Sequence, residues 1–292
     1  MLSTWRNDDN NRDCCKWKGV ECNNETGHVQ IIDLQGQFPQ YLSGAIDDIS
    51  SLIDLQNIEH LDLRFNNFKG SHIPKLMGSF TNLRYLDLLE SKFGGRIPYQ
   101  LGNLSKLEYL DLNYNDLDGA IPSQLGKLTS LQYLDLSHNF DILGEIPYQL
   151  GNLSQLRYLD LWGNLLSGAI PFQVENLPFL HTLMLSGNFD LKNNDAKWLS
   201  SLSSLTTLSL SALPNLGSSS YWQQMISELI PNLCELSVIG CGFTDKSFLV
   251  PSASLWNICT LQELYLNNNN LSGKISIFIV QQKHISDSGF IF

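Results

Sequence analysis

The chain has 292 residues, 43% of them hydrophobic and 16% charged, which is enough apolar material for a continuous core and excludes a disordered segment. Eighteen Lys and Arg face 29 Asp and Glu, a formal charge of −11 with no basic run, which argues against nucleic acid as a partner. The longest apolar run near either end is residues 277–280, far short of the ~20 residues of a membrane-spanning helix, so no membrane span is expected within this chain.

The opening residues, MLSTWRNDD, lack the charged-then-apolar pattern of a secretion leader, and the expectation is a truncated product of a longer gene. Next comes a cysteine cluster, CCKWKGVEC, containing Cys14, Cys15 and Cys22, with TGHV behind it. With His28 these could be read as a zinc site, but the spacing matches none of the usual paired-Cys patterns. A disulfide-stapled segment is the preferred reading, and a secreted context favours bridges.

From residue 29 onward a unit recurs. Its most regular feature is two aliphatics flanking one residue, from Ile32/Leu34 and Leu61/Leu63 through Leu110/Leu112 to Leu264/Leu266, ten pairs at steps of 24 to 29 residues. Such short alternation predicts a strand with one buried face, and ten strands stack into a single parallel sheet. Three positions later stands Asn66, Asn115, Asn139, Asn164, Asn188 or Asn269, with Cys241 in the same slot of the ninth unit. An amide there can turn inward and satisfy backbone groups left open at the strand exit. Ser91 and Leu213 break the column, so local irregularity is expected in the third and eighth units. Gly-x-Ile-Pro follows at 95–98, 119–122, 144–147 and 168–171: glycine permits the bend, Ile re-enters the core and proline sets an extended exit. A Leu-x-x-Leu segment closes each unit. Units this short cannot bury a core alone and must stack.

This pattern, L-x-x-L-x-x-L-x-L-x-x-N-x-L-x-G-x-I-P over residues 29 to about 275, resembles the plant extracellular leucine-rich repeat. The resemblance implies an α/β repeat solenoid: a right-handed, curved superhelix with its parallel sheet on the concave face and short 3-10 or α segments on the convex face. Residues 1–28 look like a partial amino-terminal cysteine cap, 29–275 form ten repeats, and 276–292 abandon the pattern and are expected to be a poorly ordered tail. By the same resemblance Cys15 pairs with Cys22, Trp17 packs over the first strand, and Cys14 lacks its partner because the family's bonding cysteine lies upstream of this chain. The Asn-x-Ser/Thr triplets at Asn24, Asn103, Asn152 and Asn270 are N-glycosylation candidates and support secretion.

After Asn188 the Gly-Ile-Pro element disappears for three units. Trp222, Met225, Ile226, Leu229 and Ile230 recur at helical spacing, predicting a short amphipathic helix on the outer side. Such irregular units resemble plant receptor-like proteins, which implies a full-length protein anchored in the plasma membrane, with its ligand-binding part outside the cell and signalling through a co-receptor kinase. A secreted protein similar to the plant polygalacturonase inhibitors is the rival reading, although those inhibitors have uniform repeats and a cysteine-bearing terminal cap; a non-functional fragment is a third.

Catalytic motifs are missing, the six histidines show no metal-ligand spacing, and no enzyme activity, cofactor or metal is expected. What remains is a surface. The columns Tyr85, Tyr109, Tyr133, Tyr158 and Asp62, Asp87, Asp111, Asp135, Asp160 belong to the family's usual wording and are read as structural, although aspartates in a row repel and a basic partner would relieve them. The pair after each strand varies: Arg64/Phe65, Leu89/Glu90, Asn113/Tyr114, Ser137/His138 and Trp162/Gly163. Arg64, Phe65, Glu90, Tyr114, His138 and Trp162 are therefore the candidate ligand-binding residues, for a peptide or protein ligand, with Phe65, Tyr114, His138 and Trp162 as a recognition stripe.

Overall fold

The computed structural model describes residues 13–44, 55–171, 177–189, 202–213, 216–218, 232–244, 262–271 and 290–291. The helix expected around Trp222–Ile230, Cys259 and residues 276–289 of the tail lie outside the described residues. The chain divides into two units, Met1–Ile142 and Leu143–Phe292.

In the first unit, Asp13 accepts the Cys15 N–H and caps a short 3-10 turn, Cys14–Lys16. A disulfide joins Cys15 to Cys22, with their Cα atoms 5.5 Å apart. Cys14 keeps a free thiol beside this bridge. The strand Val20–Cys22 runs antiparallel to Val29–Asp33 and covers the edge of the first repeat. From there the described strands of this unit pair parallel and in register: Ile32, Leu61, Leu86, Leu110 and Leu134 follow one another across successive strands. Their side chains, with Leu63, Leu88, Leu112 and Leu136, are buried, as the alternation of apolar residues requires.

The asparagine column does what an inward amide should. Asn115 Nδ2 donates to the carbonyls of Leu88 (2.8 Å), Leu112 (3.1 Å) and Asn113 (3.1 Å), while its Oδ1 accepts from the N–H of Phe93 at 2.9 Å. Asn139 repeats the arrangement one unit on. The irregularity expected at Ser91 is confined to the next residue, Lys92, whose φ of 56° is left-handed, unlike that of the residues after Asn66 and Asn115. The Ser91 hydroxyl donates to the carbonyls of Leu63 (2.6 Å) and Leu89 (3.1 Å), two of the three kinds of group that the amide of Asn115 reaches, and the strand Tyr85–Asp87 keeps its register.

Beyond the column, Gly94–Arg96 and Asp116–Gly119 pair in a second, smaller sheet. The prolines then launch 3-10 turns, Lys75–Ser79, Tyr99–Asn103 and Ser123–Lys127, each entered through an extended proline at ψ of 124–127°. These turns stack because they carry glycine: a Cβ on Gly78 would come 2.3 Å from the Gln100 carbonyl oxygen, and one on Gly102 2.4 Å from that of Gln124. Leu-x-x-Leu residues and Phe80 and Phe93 fill the space between sheet and turns.

The second unit has the same parts: the strands Tyr158–Asp160, Thr182–Phe189, Thr207–Ser211, Glu235–Ile239 and Glu263–Tyr265, all parallel, and a 3-10 turn at Tyr148–Asn152. Thr182–Phe189 is long enough to join both sheets, its last residues pairing with Leu166–Gly168. Phe290–Ile291 pairs with Leu264–Tyr265. Cys241 occupies the ladder slot, its buried thiol donating to the carbonyls of Leu210 and Ile239, both at 3.4 Å. Burial pushes that thiol up to about 11. Leu213, in the same slot of the preceding unit, is buried with a side chain that offers no hydrogen bond, and its carbonyl accepts the Leu216 N–H at 3.0 Å as a 3-10 turn opens at Leu216–Ser218. Each unit is thus built of leucine-rich repeats, with a parallel sheet on one side and 3-10 turns on the other.

Candidate binding surface

On the open face of the first unit's sheet, the strand residues flanking each buried leucine form two ladders. One is aromatic: the rings of His60, Tyr85, Tyr109 and Tyr133 stack at centroid distances of 4.1, 4.3 and 4.3 Å. The other is the aspartate column, and it is not a solvated row. Asp62, Asp87, Asp111 and Asp135 are 0–4% exposed. Their Oδ1 atoms accept the backbone N–H two residues on, at Arg64, Leu89, Asn113 and Ser137, all within 2.9–3.0 Å. The Oδ2 atoms of Asp87, Asp111 and Asp135 accept from the hydroxyls of Tyr85, Tyr109 and Tyr133, at 2.9, 3.2 and 3.4 Å. The carboxylates therefore hold each strand's exit in a tight turn, the local role that aspartate side chains favour.

Burial without full charge compensation alters three of these acids, Asp62, Asp111 and Asp135. Asp62 is raised to about 6, chiefly by burial, and Asp111 to about 7 by burial and then by the neighbouring Asp135. Burial raises Asp135 as well, against the Ser137 hydroxyl and N–H, which favour its ionised form. At the amino-terminal end Arg64 supplies the expected relief, its Nε 3.2 Å from Asp62 Oδ2 and its Nη1 3.4 Å from Asp87 Oδ2. Arg64 thus belongs largely to the scaffold.

The turn that follows carries the variable side chains. Phe65, Glu90, Tyr114 and His138 have φ of 59, 49, 52 and 53°, all in the left-handed region. Phe65 and Tyr114 remain 39% and 47% exposed, and the Tyr114 ring stacks on His138 at 4.0 Å. Phe140, also at positive φ, meets His138 edge-on at 5.8 Å. Burial lowers the His138 pKa, against the pull of Asp135. In the second unit the left-handed position is Gly163, so Trp162 takes the repeat position of Arg64, Asn113 and Ser137 instead, its backbone N–H donating to Asp160 at 2.8 Å. The six candidates thus fall at two repeat positions, and Phe140 is a neighbour of His138 that repeat spacing did not single out because an insertion displaces it. The sequons behave alike: Asn24, Asn103, Asn152 and Asn270 are exposed, Asn103 and Asn152 at the last residue of equivalent 3-10 turns. Among the described residues no helix is long and apolar enough to cross a membrane.

Comparison with known proteins agrees with this architecture. Leucine rich repeat models match residues 57–80, 81–140, 130–153, 155–177 and 260–281, and a leucine rich repeat N-terminal domain model matches 1–23. The receptor-like protein EIX1 of Solanum lycopersicum is 40% identical over 104 residues, covering 32% of this chain and 10% of its own length, so the match spans a small part of that relative. The PEPR1–AtPEP1 crystal structure superposes with a TM-score of 0.64 at 26% identity, covering 92% of this chain and 42% of that one. The Arabidopsis receptor kinase HAESA, solved with the peptide hormone IDA and the co-receptor SERK1, gives 0.61 at 26% identity, covering 92% and 43%. Repeat period, amino-terminal cap, fold and matches converge: the chain is built of leucine-rich repeats behind a leucine-rich-repeat N-terminal domain and resembles the plant receptor-like proteins.

Proposed function

We propose that this chain is a ligand-recognition part of a plant cell-surface receptor-like protein, binding a peptide or protein ligand outside the cell in defence or developmental signalling. The contacts come from Phe65, Glu90, Tyr114 and His138 in the first unit and Trp162 in the second, and a co-receptor kinase completes the signalling assembly. It acts by binding and not by catalysis. The observation that carries this reading is the cost of the left-handed column. A bulky side chain at positive φ is strained by about 1–2 kcal/mol, which glycine avoids, as it does at Gly163 and Gly240. Phe65 and Tyr114 accept that strain while leaving much of each ring in solvent. Strain that burial does not offset points to a use for the exposed face. The peptide complexes of the structural neighbours, PEPR1 with AtPEP1 and HAESA with IDA, support the choice of ligand class.

Panning a random peptide display library against the full chain tests this. Selected peptides should bind Phe65→Ala and Tyr114→Ala at least ~10-fold more weakly, as truncation of an aromatic hot spot does, and bind Lys127→Ala, on the 3-10 turns, unchanged. Peptides indifferent to both aromatic substitutions would remove the reading.

A further inference from the structure

The first unit carries a second candidate site on the side of the small sheet. Here the residue before Ile-Pro changes from His72, in Ser-His-Ile-Pro, to Arg96 and Ala120, in Gly-x-Ile-Pro, along three successive repeats. Each long side chain lies across the glycine of the next repeat: a Cβ on Gly95 would meet the His72 ring at 2.5 Å, and one on Gly119 would meet Arg96 Cγ at 3.2 Å. Ala120 has nothing to extend, and an open depression of about 640 Å³ lies around it. Its floor is the buried Ile73, Ile97 and Ile121. Around that floor stand His72, Lys75, Arg96, Tyr99, Gln100 and Asp118.

Three properties of this depression define a ligand. First, Lys75 and Arg96 make no ion pair among the described residues, so a protein of net charge −11 presents two uncommitted cations at one place. Second, Gln100 Oε1 is buried and accepts no hydrogen bond from the protein, and Asp118 offers further acceptor capacity. A bound group must therefore bring donors as well as negative charge. Third, Tyr99 is 58% exposed and offers a flat apolar face at the rim. A chain of carboxylates alone would satisfy the cations but meet Asp118 with like charge. A uronic acid sugar supplies all three complements within one ring: a carboxylate, several hydroxyl donors and a C–H face.

We propose that this depression binds an acidic oligosaccharide, with Arg96 and Lys75 holding uronate carboxylates, Gln100 and Asp118 accepting hydroxyls, and Tyr99 packing on a sugar face. The site stands apart from the left-handed column and does not depend on what that column binds.

Calorimetric titration of the full chain with trigalacturonate tests it, with the methyl-esterified trisaccharide, maltotriose and heptaglutamate as controls. Trigalacturonate alone should bind. Loss of a charge-assisted hydrogen bond should make Arg96→Ala at least ~10-fold weaker, and Ala120→Trp, which fills an exposed depression without entering the core, should abolish binding. Circular dichroism of both variants checks the fold, and Tyr114→Ala should bind the sugar normally. No binding by the parent chain, unchanged binding by both depression variants, or equal affinity for heptaglutamate or maltotriose would overturn the proposal.

Discussion

Replacing Asp111 by asparagine probes the ladder that shapes the sheet face. Asparagine keeps an oxygen for the Asn113 N–H and, with the Tyr109 hydroxyl reoriented, a partner on the other side, but it removes the charge. In the folded protein burial and Asp135 raise the Asp111 carboxyl from its ordinary 3.8 to about 7. The folded state therefore binds this proton more tightly than the unfolded chain. Its contribution to stability is complete below pH ~4, and is lost progressively as pH rises through about 7. At 1.36 kcal/mol per pH unit, ionising this site in the fold costs on the order of 2–4 kcal/mol at pH 8, the upper end applying if Asp135 does not share the proton. Urea unfolding followed by circular dichroism should find Asp111→Asn more stable than the parent at pH 8 by about that amount, and close to it at pH 4. Equal destabilisation at both pH values would show that the acceptor oxygens, and not the charge, govern the site, and would refute the reasoning.

Further outcomes follow from the core. Asn139→Ala removes three donated bonds and the acceptor for Leu117, leaving buried carbonyls open, and should cost about 3–5 kcal/mol in urea unfolding, whereas Ser91→Asn should cost under ~1 because the slot at 91 already places a donor on the Leu63 and Leu89 carbonyls. Gly102→Ala drives a methyl against the Gln124 carbonyl and should lower the thermal midpoint by several degrees; an unchanged midpoint would mean that the turns need not stack so closely. Iodoacetamide at pH 8 followed by peptide mapping should label Cys14 and Cys234 while sparing buried Cys241 until the chain unfolds.

The aliphatic pairs, the inward asparagines and the Gly-Ile-Pro bends were legible in the sequence because each is a residue type that only one environment suits, repeated at one period. Ser91 disturbs the fold less than a broken amide column suggests, because its hydroxyl still bonds two of the ladder carbonyls and the departure stays local, at Lys92. Alternation puts the Leu-Asp-Leu aspartate on the open face but cannot show its burial, which arises from the tyrosine hydroxyl above it and from a turn bonded two residues on. The left-handed column was invisible for a simpler reason: phenylalanine, glutamate, tyrosine and histidine all occupy it, so no residue type announces the backbone. For the same reason Trp162 was grouped with residues from which its backbone separates it.

Hydrogen–deuterium exchange of the full chain with a panned peptide bound tests the recognition surface most directly. The account predicts slowed exchange at the strand exits 64–65, 89–90, 113–114 and 137–138, with the 3-10 turns Lys75–Ser79 and Tyr99–Asn103 unaffected. Protection of those turns with the strand exits unchanged would contradict it.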